Sequence, residues 1–286
     1  MRILYYLLLK PLSLLPLRVL HRLSDLLYLV IYYLVGYRKK VVFDNLHNSF
    51  PEKSEAEITY IAKGYYRHLC DYVTEGIRLF SMPKAEAVRR VRLLNPEVPN
   101  RIAAEGRGVI FVTGHYADWE MGSTALDPQL QHKLCIIAAP IKNKFLEKKI
   151  NAYRTRCGAL TVSRQEIIGF MRQTGNAVNA TVFLSDQAPP NSHGHYYRTT
   201  FLNQKTSVVL GTEILAKRYN LPVIFIKQKC IKRGYYTLEA VLLTENPQTT
   251  EKYAVTEMHT RLLEEMIRED PKYWLWSHRR WKRDRE

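Results

Sequence analysis

The sequence predicts an α/β protein: a three-layer domain around a central sheet, preceded by a helical amino-terminal segment. Three observations predict it. Short apolar runs bounded by glycines or polar turns alternate with helical stretches across residues 108–268, and strands alternating with helices build a sheet covered on both faces. Residues 1–37 are rich in Leu and Tyr and show no such alternation. The length of 286 residues is ample for a sizeable core, and an apolar share of 46% excludes bulk disorder.

The amino-terminal segment begins like a signal peptide, with Arg2 and the Leu-rich run Ile3–Leu9, but Lys10-Pro11 follows and no small-residue cleavage site does. A spanning helix needs about 20 apolar residues. Here Lys10, Arg18, Arg22 and Asp25 interrupt, and the uncharged run from Leu26 to Tyr37 is twelve residues long. The segment therefore reads as interfacial rather than as a clean crossing. Up to Lys40 there are seven Lys or Arg and one acid, Asp25. Each cation near an anionic headgroup is worth about 1 kcal/mol. Tyr5, Tyr6, Tyr28, Tyr32, Tyr33 and Tyr37 have apolar rings and polar tips suited to the headgroup layer. A buried helical hairpin is the alternative. Residues 1–40 are thus expected to form a membrane-associating helical segment, and residues 41–286 the α/β domain.

Within that domain Ser54-Glu55-Ala56-Glu57 reads as a capping box. Ile58, Ile61, Tyr65, Leu69, Tyr72 and Ile77 then recur at helical spacing up to Pro83, and the helical region is expected to end near residue 95. Strands are predicted at Gly108–Gly114, Lys133–Ala139 and Ala177–Leu184, the last ending at Ser185-Asp186-Gln187. Pro222–Lys229 and Tyr235–Leu243 read as two strands joined at Lys232-Arg233-Gly234. Helices are predicted near Lys144–Arg156, Gln165–Gln173, Ser207–Arg218 and Thr250–Arg268. The run Pro189–His195 reads as a loop.

Lys and Arg total 43 against 27 Asp and Glu, giving +16 and a pI near 9.6. Such a surplus points to an anionic partner, and no DNA- or RNA-binding motif makes nucleic acid that partner. The four cysteines stand singly, which supports neither a disulfide framework nor a structural zinc site. GxSxG, HExxH, Walker and GxGxxG motifs are all missing from the sequence. His193 and His195 could chelate a metal, but no cluster of Cys, His or acids accompanies them, so no metal is expected.

The strongest local signal is Gly114-His115-Tyr116-Ala117-Asp118-Trp119-Glu120, directly after a predicted strand. Reactive groups in open α/β sheets gather at such strand ends. A histidine there serves as a general base when a carboxylate holds its other ring nitrogen. Five helical positions would set the two side chains about 140° apart. His115 should therefore lie in the turn, with Glu120 reaching back from the first helical turn. Asp118 is a rival for that part.

Several spaced motifs carry a resemblance. Tyr37-Arg38-Lys39-Lys40-Val41-Val42 with Asn45-Leu46 and Ser49–Glu52, Gly108–Phe111 running into His115 and Trp119-Glu120, Asp186-Gln187, Phe201-Leu202 with Thr206, and Trp274–Lys282 follow one another in order. The sequence resembles the lipid A biosynthesis acyltransferases of the lauroyl/myristoyl type, within the H-x4-D/E acyltransferase class. The likeness spans nearly the whole chain. It departs at Ala117-Asp118, where the family often has Gly-Asn.

The resemblance implies an acyltransferase-like domain on a central mixed sheet, with no cofactor. It implies transfer of an acyl chain from an acyl carrier protein thioester to a hydroxyl of a phosphorylated glycolipid, at the cytoplasmic face of the cell inner membrane. His115 would be the general base, Glu120 its supporting acid and Arg154 a donor to the oxyanion, with Arg156 a close second by position. Direct transfer needs no Cys or Ser nucleophile, and Cys157 is read as packing. Asp186 and Gln187 either shape the acceptor pocket or cap a turn. Arg279, Arg280, Lys282, Arg283 and Arg285 with Trp274, Trp276 and Trp281 either grip phosphate at the interface or form a solvated end whose indoles pack on the domain. The acceptor could also be another glycolipid or an aminolipid. A lipid hydrolase and a non-catalytic basic protein are the other readings.

Overall fold

Proline sets the first bend of the chain. The computed structural model describes residues 1–174, 177–189 and 196–282. Helices α1 (Arg2–Leu14) and α2 (Leu17–Val35) meet at 119°. Pro16 forces the residue before it out of helical backbone, and Leu15 accordingly has ψ 146°. Among the described residues no single helix is long and apolar enough to cross a membrane; this bent pair passes that test together, by length and composition.

Both helices are two-faced. Ile3, Leu7, Leu14, Leu26, Leu34 and Val35 are exposed, whereas Leu17, Leu20, Tyr28 and Tyr32 are buried. The buried face rests on the long helix α4 (Glu55–Leu79), reached through α3 (Lys39–Ser49). Tyr32 meets the Tyr66 ring at 5.2 Å, and Ser24 donates to buried Asp71 at 2.6 Å. The capping box forms as expected: Ser54 Oγ accepts from the Glu57 N–H, and the Glu57 carboxylate accepts from the Ser54 N–H.

After α5 (Lys84–Arg90) the chain alternates. Its order is β1 (Val91–Leu93), α6 (Glu97–Ala104), β2 (Val109–Thr113), α7 (Trp119–Leu126), β3 (Lys133–Ala138), α8 (Lys144–Arg154), β4 (Leu160–Ser163), α9 (Ile167–Thr174) and β5 (Asn179–Leu184). Then come β6 (Tyr196–Phe201), β7 (Gln204–Val209), α10 (Gly211–Tyr219), β8 (Val223–Lys232), β9 (Tyr235–Thr244) and α11 (Ala254–Glu269). The main sheet has strand order β1-β9-β8-β2-β5-β3-β4 among the described residues. Strands β8, β2, β5, β3 and β4 run parallel; β9 runs antiparallel to β8, and β1 lies parallel to β9. The sheet is therefore mixed. Every residue of β2 is buried, as a strand covered on both faces requires.

One expectation is corrected. The helix predicted from Ser207 starts instead at Gly211, because Ser207–Val209 belong to β7, paired antiparallel with β6. Leu202 and Asn203 turn this hairpin with positive φ of 49° and 61°, the geometry of a two-residue type I′ loop. Strands β1 and β4, three and four residues long, are too short to leave a periodic signal. The four cysteines are free; Cys70, Cys135 and Cys157 are buried. The motif residues His193 and His195, together with Arg283 and Arg285, lie outside the described residues.

Replacing Ser54 by Ala removes the cap acceptor and should lower stability by about 1 kcal/mol, while Ser54→Gly should cost only a few tenths, about 0.3 kcal/mol. Equal denaturation midpoints for the two variants would contradict the cap assignment.

Candidate active site

Strand register builds the site. β2 and β5 are parallel neighbours with Thr113 opposite Leu184. Two residues beyond these paired positions come His115 and Asp186, so equal steps off adjacent strands bring the two side chains together. Ser185 N–H donates to Thr113 O at 3.0 Å, carrying the pairing past the strand ends. His115 Nδ1 then lies 2.6 Å from Asp186 Oδ1. Asp186 Oδ2 accepts from the His115 backbone N–H and from the Trp274 indole N–H, both at 2.9 Å.

Asp186 is almost wholly buried. Burial alone would raise its pKa, but the facing His115 and the three donors outweigh it and hold the carboxyl at about 2. For His115 burial disfavours the cation, yet the Asp186 charge and hydrogen bond win, with a smaller push from Glu120, and its pKa is raised. An ionised Asp186 keeps the proton on Nδ1, and Nε2 is left as the lone-pair nitrogen. Gln187 Nε2 sits 3.3 Å from it. The His115 side chain is 16% exposed, enough for a substrate to reach that nitrogen.

The turn carrying His115 is held on all sides. A Cβ on Gly114 would fall 2.7 Å from Leu263 Cδ1 and 3.4 Å from Asp186 Cβ, so any larger residue there would have to displace the Leu263 side chain. Ala117 has a left-handed φ of 51°, a conformation that persists only where its surroundings impose it. Its N–H donates to Tyr273 O at 3.0 Å, and its carbonyl lies 3.1 Å from His68 Nε2. Burial lowers the His68 pKa to about 4, so that ring is neutral and donates. Trp119 closes the side, edge-on to His115 at 5.0 Å and stacked on Tyr72 at 4.2 Å. Behind it a narrow apolar cavity of about 20 Å³ runs between α7 and the sheet, lined by Phe111, Gly122, Leu126, Leu184 and Leu238.

The acids of the motif stand elsewhere than the sequence suggests. Glu120 makes no hydrogen bond to His115; Asp186 occupies Nδ1. The Glu120 carboxylate instead accepts from two guanidinium nitrogens of Arg154, one at 3.0 Å, and from Tyr153 Oη at 3.0 Å. Asp118 is buried, caps α7 through the Met121 N–H at 2.9 Å, and does not bond the ring either. Burial first, then the neighbouring Glu75 charge, pushes the Asp118 pKa well above the usual carboxylate range. A residue sealed in this way is placed to fix a helix rather than to touch a substrate.

The two arginines separate cleanly. Arg154 reaches Glu120 beside the dyad, whereas Arg156 donates to the carbonyls of Leu79, Phe80 and Met82 and so caps the end of α4. Arg279 is exposed, while Arg280 is 2% exposed and donates to Ser207 O at 2.7 Å. Trp274, Trp276 and Trp281 are all buried, so the reading in which these indoles sit at a lipid interface is set aside in favour of packing. His68 and Tyr273 escaped the sequence reading, because nothing near them in the chain marks them as supports of a turn. Among the described residues no group of three His, Cys, Asp or Glu is arranged to hold a metal ion.

A His–carboxylate pair at the ends of two parallel strands, with an Arg–Glu pair alongside, can now be set beside known proteins. The family model for the bacterial lipid A biosynthesis acyltransferases matches residues 1–283. The chain belongs to this family. No curated protein matches it. Membership makes the protein an acyltransferase of lipid A biosynthesis, acting between an acyl donor and a lipid acceptor.

The dyad makes a direct prediction. By nuclear magnetic resonance, the His115 ring should titrate above the ordinary histidine value of about 6.5. Asp186→Asn removes the charge that lifts it, so the midpoint should fall below that of the wild type. An unchanged midpoint would mean that Asp186 does not govern the ring.

Proposed function

We propose that the protein transfers a fatty acyl chain from an acyl carrier protein thioester to a hydroxyl of a lipid A precursor, working at the cytoplasmic face of the cell inner membrane. The observation that carries the reading is the His115–Asp186 pair, whose outward nitrogen is the one left basic. An alcohol is a poor nucleophile at neutral pH. In the proposed step Nε2 takes the hydroxyl proton as the oxygen attacks the thioester carbonyl. Asp186 holds the tautomer and stabilises the imidazolium that forms. Collapse of the tetrahedral intermediate breaks the C–S bond, and the departing carrier thiolate recovers the proton from Nε2. Ester and thiol are the products, and no acyl-enzyme intervenes.

The intermediate's oxyanion needs donors. The N–H groups of Trp119 and Glu120, which open α7 shortly after His115, are one source. Arg154 is the second source: Glu120 engages its Nε and Nη2, which leaves Nη1 outside that pair. Glu120 in this reading is a positioning residue that aims a cation, rather than the acid behind the base. Gln187, against Nε2, occupies the place an acceptor hydroxyl must take, and would move aside for it. The apolar cavity behind Trp119 supports an acyl chain entering there, with α7 giving way, since about one water fills it as it stands.

Membrane contact belongs to the same proposal. The exposed leucines and tyrosines of α1 and α2, with the exposed Arg2, Arg18 and Arg22, suit a helix lying in the headgroup layer. The basic surplus suits the acidic acyl carrier protein.

Incubating the purified protein with carrier protein charged with varied chains and a tetra-acylated lipid A precursor, then reading product masses, tests the assignment. His115→Ala should lower the rate by about 10²–10⁴ or more with the fold intact. Arg154→Ala should lower it by about 10²–10³ if the guanidinium serves the oxyanion. Full activity in His115→Ala would reject the base assignment, and free fatty acid without acylated glycolipid would favour hydrolysis.

A further inference from the structure

Cations gather at one further place, where α3 runs beside the carboxyl-terminal segment. A cavity of about 340 Å³ there is lined by Lys40, Asp44, Asn45, Arg279, Trp281 and Lys282. Lys40 pairs with Asp44 at 2.9 Å on the exposed side. Arg279 and Lys282 are exposed and have no acidic partner among the described residues. The Trp281 side chain is 1% exposed, and its indole N–H has no hydrogen-bond partner among the described residues. Buried donors are rarely left so. Asn45 fixes the wall, its amide donating to the carbonyls of Trp276 at 2.9 Å and His278 at 3.0 Å.

Three cations and one acid leave two positive charges around one small volume. An anion with several oxygens answers the surplus charge, and the buried indole N–H of Trp281, a residue of the cavity wall, is placed to report its arrival. A carboxylate is planar and carries one charge; a phosphate monoester carries close to two and accepts from several directions. The cavity is also near the dyad. The Trp281 ring lies 5.8 Å from that of Trp274, whose N–H holds Asp186, so two packed indoles connect the cavity wall to the dyad.

We propose that this cavity binds a phosphate monoester, the one borne by the acceptor glycolipid. Only the source of that phosphate rests on the transfer reaction proposed above. The full chain in uncharged detergent micelles is titrated with inorganic phosphate while the Trp281 indole N–H resonance is followed. The shift should saturate, and in the double variant Arg279→Gln/Lys282→Gln the midpoint should move to about a hundredfold higher phosphate, since two charge-assisted hydrogen bonds are lost and each is worth about tenfold. The charge-conserving pair Arg279→Lys/Lys282→Arg should bind within a few-fold of the wild type. A phosphorylated disaccharide lipid should displace phosphate and its dephosphorylated form should not. No saturable shift, an unmoved midpoint in the double Gln variant, equal displacement by both lipids, or displacement by phosphatidylglycerol alone would overturn the proposal. The titration needs no turnover, so its failure is separable from failure of the transfer assay.

Discussion

The in-register pairing of β2 with β5 is the constraint on which the site depends. Thr113 faces Leu184, and every consequence follows from counting two residues beyond each. A shift of one residue in a parallel pair would turn side chains to the opposite face, and His115 would lose Asp186. The register is secured where mistakes are costly, in strands whose side chains are buried on both sides. Val109–Val112 and Ala180 are buried, with Thr181 and Val182 beside them. Core packing thus sets a 2.6 Å contact at the rim.

Two buried carboxyl groups, Asp186 and Asp118, meet opposite fates here. Asp186 receives three hydrogen bonds, one of them from the facing imidazole, and stays ionised. Asp118 receives a single backbone N–H and faces Glu75, another carboxyl, so its pKa rises. Environments that drive acids apart in this way assign them different work. The ionised one is fit to steady a base. The protonated one is fit to cap α7 without adding a second negative charge beside the ring.

Much of the architecture was legible in the sequence because it is written in local patterns: the apolar run Val109–Thr113, the Ser54–Glu57 box, the antiparallel pair β8–β9. His115 was legible as a strand-end histidine inside a recurring motif. Its partner was not. Asp186 was visible as a residue at a strand end, but which strand lies beside β2 is a long-range fact, separated by 71 positions and without local trace. Sequence spacing favoured Glu120, and helix geometry alone could not say that Arg154 would claim it. The β6–β7 hairpin was hidden because Leu202-Asn203 lacks the glycine that usually marks such a turn.

The amino-terminal helices are tied into this arrangement rather than appended to it. His21 on α2 meets Glu75 at 2.8 Å, and Tyr236 of β9 donates to the other oxygen of the same carboxylate at 2.8 Å. Glu75 in turn faces Asp118, the cap of the helix that carries Glu120. Arg233, from the β8–β9 turn, binds both Asp25 on α2 and Asp71 on α4. A buried carboxyl without partners is strongly destabilising, so removing α2 would strip His21 from Glu75 and uncover Tyr28 and Tyr32. A segment whose outer face is greasy and whose inner face completes a buried polar network cannot move freely about the domain. If that outer face lies in lipid, as proposed, the dyad is held at a fixed height and tilt above the bilayer. In the proposed reaction, where the base must meet a lipid-borne hydroxyl, such a mounting would bring the two together.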